Sequence, residues 1–219
     1  MAIAREGYVF IAAASVIALV GFVVAAVVGS WVVWLASYIA VVLALAFAFF
    51  FRDPERRGER GAHLILAPAD GKVVQITEVE EPNYLRGPAR RISIFLSLFD
   101  VHVQRSPAAG VVEFRRHQPG KFLAAWAERA SLENEQTSIG INAGHYRLMV
   151  KQIAGIVAQR IVTYVDEGTR VEQGDRIGLI RFGSRVDTFI PLDAEVRVKP
   201  GDRVYAGRTV LAELPGSGP

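Results

Sequence analysis

The chain of 219 residues contains no cysteine, which excludes disulfide bonds, thiolate catalysis and metal sites built on cysteine. Its four histidines show no metal-ligand spacing, because the sequence has neither a His-Glu-x-x-His motif nor a His-x-His pair. It also has no glycine-rich loop of the kind that cradles phosphates. We therefore expect no metal, and the sequence gives no support to a zinc hydrolase or a nucleotide-binding protein.

The sequence also lacks a strong charge of either sign. The formal net charge is +3, and residues 61–219 hold 20 Lys and Arg against 18 Asp and Glu. No basic run is interleaved with aromatic residues, so we expect no nucleic-acid partner. Positive charge is concentrated in a collar of four arginines after an apolar run: Arg52, Arg56, Arg57 and Arg60. A collar in that position indicates phospholipid headgroups as its partner.

Two long apolar runs without a charged residue lie near the start of the chain. They cover residues 7–28 and 31–51, and each can cross a hydrocarbon core of about 30 Å as a helix. Gly29-Ser30 is the only break between them, which predicts a tight transmembrane hairpin in residues 1–51. A cleaved signal peptide is the alternative, but the first run is too long for one and a second run follows at once.

The arginines also predict the orientation of this hairpin. Four follow the second run, Arg5 precedes the first, and the short turn between the runs has none. Because positively charged flanks stay in the cytoplasm, we expect both ends of the hairpin, and everything after it, on the cytoplasmic side of the cell membrane.

After the apolar runs the composition changes twice. Residues 52–60 are polar and contain Pro and Gly, which is typical of a linker. Residues 61–219 alternate short apolar runs with turn signals, which predicts a mainly antiparallel β domain, either a sandwich or a partly closed barrel. Apolar residues at three- and four-residue steps predict a minor helix at Phe122–Ala130. The predicted strands are Leu64–Leu66, Lys72–Val79, Arg91–Leu98, Val111–Phe114, His145–Ile153, Gly155–Tyr164, Arg176–Arg181, Arg185–Leu192, Glu195–Val198 and Thr209–Glu213.

A short internal repeat flanks a Gly-Ser dipeptide in this domain. Val171-Glu-Gln-Gly-Asp-Arg-Ile-Gly178 recurs as Val198-Lys-Pro-Gly-Asp-Arg-Val-Tyr205. Each copy predicts a strand end, a Gly-Asp turn and a strand start, as in the paired hairpins of biotinyl- and lipoyl-type domains. We therefore expect Gly183-Ser184, which lies between the copies, in a loop or strand start held by rigid neighbours.

The Gly183-Ser184 peptide is the candidate reactive group. Glycine allows strained backbone conformations in which the hydroxyl of the next serine attacks the preceding carbonyl. An N→O acyl shift turns the amide into an ester, β-elimination leaves dehydroalanine at position 184, and hydrolysis gives a pyruvoyl group. An ordinary β-turn is the alternative interpretation of this dipeptide. Other residues that could assist Ser184 are therefore needed to favour the reactive interpretation.

Three polar stretches offer groups that can assist Ser184. Asp70 lies in Ala67-Pro-Ala-Asp-Gly71, which is a turn between two predicted strands. His102 follows an apolar strand and is a candidate general base, with Asp100 on the same face as a rival to Asp70 for orienting it. The third stretch, Leu132-Glu-Asn-Glu-Gln-Thr137, is interpreted as a polar loop.

Taken in order, these stretches resemble the phosphatidylserine decarboxylase family in its short form with a membrane hairpin. The motifs that carry the resemblance cover nearly the whole chain: Phe51-Arg-Asp-Pro-Glu-Arg56, Pro68-Ala-Asp-Gly-Lys72, Phe95-Leu-Ser-Leu-Phe-Asp-Val-His-Val103, Glu133-Asn-Glu135 and Phe182-Gly-Ser184.

The resemblance implies a zymogen that cuts itself between Gly183 and Ser184 without hydrolysis. Ser184 then becomes the pyruvoyl prosthetic group, and the two products, residues 1–183 and 184–219, stay together. His102 is the implied general base, and Asp70 is the group implied to orient it.

The implied mature enzyme is a membrane-bound lyase of phospholipid biosynthesis. It decarboxylates phosphatidylserine, or an archaetidylserine-type lipid, to phosphatidylethanolamine or its ether counterpart, and the pyruvoyl group takes the part that pyridoxal phosphate plays elsewhere. Two positions depart from the best-known family pattern. Arg185 follows the reactive serine where Ser or Thr is usual, and Arg105 occupies the place of a second histidine. A catalytic role for either arginine stays open.

A non-enzymatic interpretation is the alternative. A membrane-anchored β adaptor of biotinyl or lipoyl type explains the hairpin, the β pattern and the Gly-Asp repeat. It does not explain Asp70, His102 and Gly183-Ser184 together, and the sequence lacks the lysine between hairpins that a carrier domain modifies. A cut before residue 184 distinguishes the two interpretations.

Overall fold

The chain divides into two compact units in a computed structural model that describes residues 2–123, 133–155, 160–181 and 184–215. The first unit is Met1–Glu55 and the second is Arg56–Pro219. The first is dominated by helices and the second by strands.

Two apolar helices make up most of the first unit. Helix α1 spans Tyr8–Val28 and helix α2 spans Trp31–Phe50. Helix α1 ends where the N–H of Gly29 donates to the carbonyl oxygen of Ala25, and α2 begins two residues later. By length and composition both helices can cross a membrane. The predicted pair of N-terminal apolar helices is confirmed.

Small residues pack inside this helical pair while large apolar side chains face outward. The buried small residues are Ala14, Ala18, Ala25, Ser37 and Ala40. Val27 and Trp31 are 83% and 74% exposed, as expected for side chains that face lipid. A short ribbon completes the unit, in which β1, Ala2–Ile3, pairs antiparallel with β2, Arg52–Asp53. The first two residues of the predicted linker are therefore in regular structure.

The second unit consists of strands that pair antiparallel. In chain order they are β3 Leu64–Leu66, β4 Gly71–Glu81, β5 Gly87–Leu96, β6 Val103–Arg105, β7 Gly110–Gln118, β8 Gln136–Asn142, β9 Arg147–Ile153, β10 Arg160–Thr163, β11 Arg170–Val171, β12 Arg176–Arg181, β13 Ser184–Ile190, β14 Glu195–Val196, β15 Arg203–Val204 and β16 Val210–Glu213. The predicted class, mainly antiparallel β after an apolar helical pair, is confirmed.

An eight-stranded sheet positions the candidate site. Its strand order is β11-β7-β8-β9-β13-β5-β4-β15, so β13 lies in the interior between β9 and β5. Two three-stranded sheets have the orders β10-β12-β6 and β14-β16-β3. The consecutive strands β12 and β13 therefore belong to different sheets, and residues 182–183 connect them.

Side chains that alternate between the two faces of each strand form the apolar core of the second unit. Ile94 and Leu96 of β5, Ile180 of β12 and Val186 of β13 are fully buried and belong to one apolar cluster. Burying each such side chain contributes roughly 1.5–3 kcal/mol. Since successive side chains of a strand alternate, Ser184 lies on the same core-facing side of β13 as Val186.

The interpretation of residues 132–137 as a polar loop is wrong for its last two residues. Gln136 and Thr137 begin β8 and are buried. Strand β8 pairs with β7 and β9, so its polar side chains are hidden by neighbouring strands despite their composition. Of the predicted helix Phe122–Ala130 and the predicted strand Gly155–Tyr164, residues 124–130 and 156–159 lie outside the described residues.

The internal repeat forms two equivalent turns. Asp175 accepts a hydrogen bond from the N–H of Glu172 at 2.8 Å, and Asp202 accepts one from the N–H of Lys199 at 2.9 Å. The first turn connects β11 to β12 and the second leads from β14 to β15, so each joins strands of different sheets. The repeat therefore forms corners between sheets, and Ser184 starts a strand between them, as expected.

Candidate active site

Ser184 is the first residue of β13 and is fully buried. It is paired with Leu96 at the end of β5, and the next residue, Arg185, is paired with Ile153 at the end of β9. Pairing on both sides fixes the backbone on the carboxyl side of the predicted cleavage site. Gly183, the other half of that site, lies outside the described residues.

The Ser184 hydroxyl has no hydrogen-bond partner among the residues that the structure describes. An unpaired buried hydroxyl costs about 1–3 kcal/mol, so a protein that keeps one needs a reason. Thr188, four residues along the same strand, also has a buried and unpaired hydroxyl within the described part of the chain. The missing partner alone therefore does not identify a nucleophile. Ser184 differs because it follows Gly183 in the sequence and pairs with Leu96, at the start of the turn that leads to His102.

His102 lies beside the strand that leads to Ser184. It is fully buried and directly precedes β6, which pairs with β12. Its carbonyl oxygen accepts a hydrogen bond from the N–H of Ile180 at 3.4 Å, four residues before Ser184. In the other direction, the turn of residues 97–100 links it to Leu96, the pairing partner of Ser184. Two connections thus link His102 to β12, which precedes Ser184 in the chain, and to Leu96, which pairs with Ser184.

The hydrogen bond of the His102 ring assigns its tautomer. Nδ1 lies 2.9 Å from the backbone carbonyl oxygen of Asp100. A carbonyl oxygen only accepts, so Nδ1 carries the proton and Nε2 is the basic nitrogen of the neutral ring. A general base needs such a nitrogen. The sequence offers the carboxylates of Asp70 and Asp100 as groups that could orient the His102 ring. The ring instead contacts the backbone carbonyl oxygen of Asp100.

The carboxylate of Asp100 closes the turn that precedes His102. Its Oδ2 accepts hydrogen bonds from the backbone N–H of Ser97 at 2.8 Å and from the Ser97 hydroxyl at 2.7 Å. Its Oδ1 contacts the guanidinium of Arg203. These bonds hold the Asp100 carbonyl in place for the His102 ring.

Asp70 lies in the same region. Next to it, the Pro68 carbonyl accepts a hydrogen bond from the N–H of Arg105, three residues after His102. The Asp70 carboxylate accepts hydrogen bonds from the Ala206 N–H at 2.8 Å and from Arg56 at 2.6 Å. Burial raises the pKa of this carboxyl, although both of those partners oppose the rise. A role for Asp70 in orienting His102 stays a prediction.

Arg56 is a member of this site that the sequence pattern assigns to the headgroup-binding collar. Its side chain is only 11% exposed, and its guanidinium pairs with Asp70. The collar expectation is wrong for Arg56, because a buried carboxylate requires a charged or hydrogen-bonding partner. The motif Phe51-Arg-Asp-Pro-Glu-Arg56 contains both Arg52 and Arg56 and does not show which of them pairs with a buried carboxylate, so the fold alone identifies this role of Arg56.

Gly71 allows the backbone after Asp70 to approach β5 closely. Its φ is +153°, and a Cβ at this position would overlap the carbonyl oxygen of Phe95. The Asp-Gly pair is therefore more than a turn signal. A residue without a side chain is needed to place Asp70 at the start of β4.

The two arginines that depart from the family pattern make structural hydrogen bonds. Arg105 donates to the carbonyl oxygen of Gly174 at 3.0 Å. Arg185 is buried, donates to Asp187 at 2.6 and 3.2 Å, and donates to the hydroxyl of Ser93 at 2.8 Å. By alternation along β13, this ion pair lies on the sheet face opposite the Ser184 side chain.

Two buried glutamines support His102, and the sequence pattern gives no sign of them. Gln104 donates to the carbonyl oxygen of His102 at 2.8 Å, and Gln152 donates to the side-chain oxygen of Gln104 at 2.9 Å. Asn134, also buried, donates to the carbonyl oxygen of Ala154 at 2.7 Å, at the end of β9. Gln104 and Gln152 are far apart in the chain, and single polar residues carry no signal for such a pairing, whereas Asn134 lies in the motif Glu133-Asn-Glu135.

Comparison with known proteins identifies the family of this chain. The family model described as phosphatidylserine decarboxylase matches residues 43–212. A phosphatidylserine decarboxylase proenzyme of Symbiobacterium thermophilum is 47% identical over 214 residues, which cover 97% of this chain and 96% of the relative. The chain belongs to the phosphatidylserine decarboxylase family. The proenzyme of Magnetococcus marinus is 42% identical over 217 residues, covering 98% of this chain and 96% of the relative. That of Salinibacter ruber is 50% identical over 175 residues, covering 78% and 77%.

Membership of the phosphatidylserine decarboxylase family confirms that the chain is an enzyme with a pyruvoyl group. The residues present fit that group, because the buried hydroxyl of Ser184 has no partner in the described part of the chain and follows a glycine in sequence. The interpretation as a non-enzymatic adaptor finds no support.

Proposed function

We propose that this chain decarboxylates phosphatidylserine, or an archaetidylserine-type lipid, to the ethanolamine phospholipid after cutting itself between Gly183 and Ser184. The observation that carries the proposal is the buried hydroxyl of Ser184, unpaired among the described residues, at the start of an interior strand in a chain of this family. The lipid assignment follows the names of the relatives.

The proposed self-cleavage uses groups of this chain alone until its last step. Nε2 of His102 takes the proton of the Ser184 hydroxyl as its oxygen attacks the Gly183 carbonyl carbon, and the proton passes to the Ser184 nitrogen as the amide bond breaks. His102, neutral again, takes the α-proton of residue 184 from the resulting ester, the C–H electron pair becomes the Cα=Cβ bond of dehydroalanine, and the Cβ–O bond breaks to release the carboxylate of Gly183. Water then replaces the nitrogen of the dehydroalanine, ammonia leaves, and a ketone remains.

The mature site needs that ketone and a proton donor. When bound, the pyruvoyl group supplies an electron sink for the pair of electrons that carbon dioxide leaves behind. His102 is the proposed donor of the proton that replaces the carboxylate, since its ring lies in the same buried region. The Arg56–Asp70 and Arg203–Asp100 pairs keep two carboxylates neutralised, so the negatively charged headgroup meets less repulsion.

Strand pairing explains how the two products stay together. Residues 184–219 contribute β13, β14, β15 and β16. Strand β13 pairs with β5 and β9, β15 pairs with β4, and β16 pairs with β3, all of which belong to residues 1–183. A cut before Ser184 leaves these hydrogen bonds intact, so the smaller chain remains an interior part of the sheet.

The wild-type protein, purified in detergent, is expected to consist of two chains that end at 183 and begin at 184. Intact-mass analysis should find the smaller chain without a free amino terminus, and phenylhydrazine should label its ketone. Phosphatidylserine labelled in its carboxyl group should release labelled carbon dioxide. A single chain of 219 residues with an ordinary serine at position 184, and no release, would overturn the proposal.

We also propose that the enzyme is a membrane protein with its second unit in the cytoplasm. The two apolar helices support membrane association, and the arginines after α2 favour the cytoplasmic side for the second unit. A reporter fused to the carboxyl terminus should be active when it functions only in the cytoplasm. Activity of a reporter that functions only outside the cytoplasm would contradict this orientation.

A further inference from the structure

The turn between β5 and His102 presents two large apolar side chains to solvent. Leu98 is 49% exposed and Phe99 is 76% exposed. We call these two residues the apolar tip. The tip begins two residues after Leu96, the pairing partner of Ser184, and ends three residues before His102. It therefore lies at the same end of the eight-stranded sheet as the candidate active site.

Hydrogen bonds hold the apolar tip outward. The Asp100 carboxylate accepts bonds from the N–H and the hydroxyl of Ser97, and the Asp100 N–H donates to the Ser97 carbonyl at 3.0 Å. Arg203 fixes the other oxygen of that carboxylate. The same turn orients the His102 ring through the Asp100 carbonyl oxygen. The apolar tip therefore cannot move inward unless the proposed base moves with it.

The surroundings of the tip combine basic and aromatic side chains. Arg203 is directly paired with Lys72, so these two exposed side chains project from the same face of the sheet. Tyr205, two residues after Arg203, is 39% exposed. Arg203 matches the charge of Asp100, and Lys72 adds an exposed basic side chain beside it. Basic residues next to aromatic and aliphatic side chains are typical of surfaces that bind anionic bilayers.

The size of the tip favours a bilayer over a protein partner. A stable protein interface buries about 800 Å² on each side, which two side chains cannot supply. Two apolar side chains at a rigid turn are sufficient to enter the boundary between headgroups and acyl chains. The apolar helices of the same chain are a second, independent indication that the chain associates with a bilayer.

We propose that Leu98 and Phe99 insert into the interface of an anionic lipid bilayer and hold the entrance of the site at the level of the lipid headgroups. The proposal rests on the proposed function, because it explains how a buried Ser184 meets a substrate that stays in the membrane. It assigns the tip a role in substrate capture and none in the chemical steps.

Kinetics on two forms of substrate test this role. The variant L98S/F99S, full length, is expected to cut itself normally and to decarboxylate a short-chain phosphatidylserine below its micelle concentration at the wild-type rate. In vesicles of phosphatidylcholine with a low fraction of phosphatidylserine, its kcat/KM should fall about tenfold or more, mainly through KM. Phe99→Trp, which keeps an apolar interfacial side chain, should retain wild-type activity in vesicles. Equal activity of L98S/F99S and wild type in vesicles would overturn the proposal.

Labelling gives a readout that does not depend on catalysis. Since the chain has no cysteine, Phe99→Cys provides a unique site for an environment-sensitive dye. After reconstitution in anionic nanodiscs, lipids brominated in their acyl chains should quench a dye at position 99. Asp193→Cys is the matched control, because it is exposed and follows the far end of β13, about 20 Å from Ser184. Its dye should not be quenched.

The outcomes separate the two proposals. Quenching at position 99 in a protein that decarboxylates neither substrate would support insertion of the apolar tip into the bilayer and would contradict the proposed function. Decarboxylation of both substrates without quenching at position 99 would contradict insertion of the apolar tip and leave the proposed function intact. Dye at position 99 that is shielded by a second copy of the chain, and not by lipid, would assign the tip to a protein interface and also overturn the proposal.

Discussion

Ser184→Ala is expected to remain one uncut chain of 219 residues and to release no carbon dioxide from phosphatidylserine. Alanine has no oxygen to attack the Gly183 carbonyl, so neither the ester nor the ketone can form. The fold should survive, because the Ser184 hydroxyl makes no hydrogen bond within the described residues and a methyl group fits a buried position. Gel and mass analysis of the purified variant measure cleavage, and a labelled-substrate assay measures decarboxylation.

Thr188 provides a matched control for this experiment. It lies on the same face of β13, is fully buried, and has a hydroxyl that is likewise unpaired within the described residues. Thr188→Val should therefore be cut and active like the wild type. Ser184→Cys, which keeps a nucleophile, should be cut more slowly. Decarboxylation by uncut Ser184→Ala would exclude a prosthetic group made from Ser184, whereas loss of cleavage in Thr188→Val would show that any change to this strand prevents it.

The sequence predicts those parts of the fold that follow a local pattern. Two uncharged apolar runs give α1 and α2, and short apolar runs between turn signals give most strands, including the strand that begins at Ser184 or the next residue. Strand β8 is different, because Gln136 and Thr137 are polar and become buried only when β7 and β9 cover them. A local pattern reports what a residue prefers, and in the middle of a sheet its neighbours decide its burial.

The candidate site shows the same division. Asp70, His102 and Ser184 can be proposed as site residues from the sequence, because their motifs resemble those of the family. Arg56 and Asp70 are 14 positions apart, and Gln104 and Gln152 are 48 positions apart. No local sequence pattern predicts hydrogen bonds across such separations. The contact that assigns the tautomer of His102 comes from a backbone carbonyl, which every residue possesses. Orienting groups of this kind have no sequence signature.

His102→Ala is expected to stop self-cleavage or to slow it by about 10²–10⁴-fold, the range typical of a lost general base. A serine hydroxyl is a weak nucleophile at neutral pH, and the proposed acceptor of its proton is Nε2 of this ring. Because His102 is fully buried, alanine also leaves a cavity that can disturb the fold. The rate of appearance of chain 184–219 after synthesis in vitro measures the effect.

His102→Asn separates the base from the structural role of the ring. An asparagine amide can still donate to the Asp100 carbonyl, as Nδ1 does now, but it cannot accept a proton at neutral pH. The precursor of this variant should therefore fold, as judged by its thermal midpoint in detergent, and stay uncut. His117, an exposed residue whose ring bonds the hydroxyl of Thr137, is the control, and His117→Ala should be cut at the wild-type rate. A folded His102→Asn that is cut as fast as the wild type would show that another group takes the proton of Ser184.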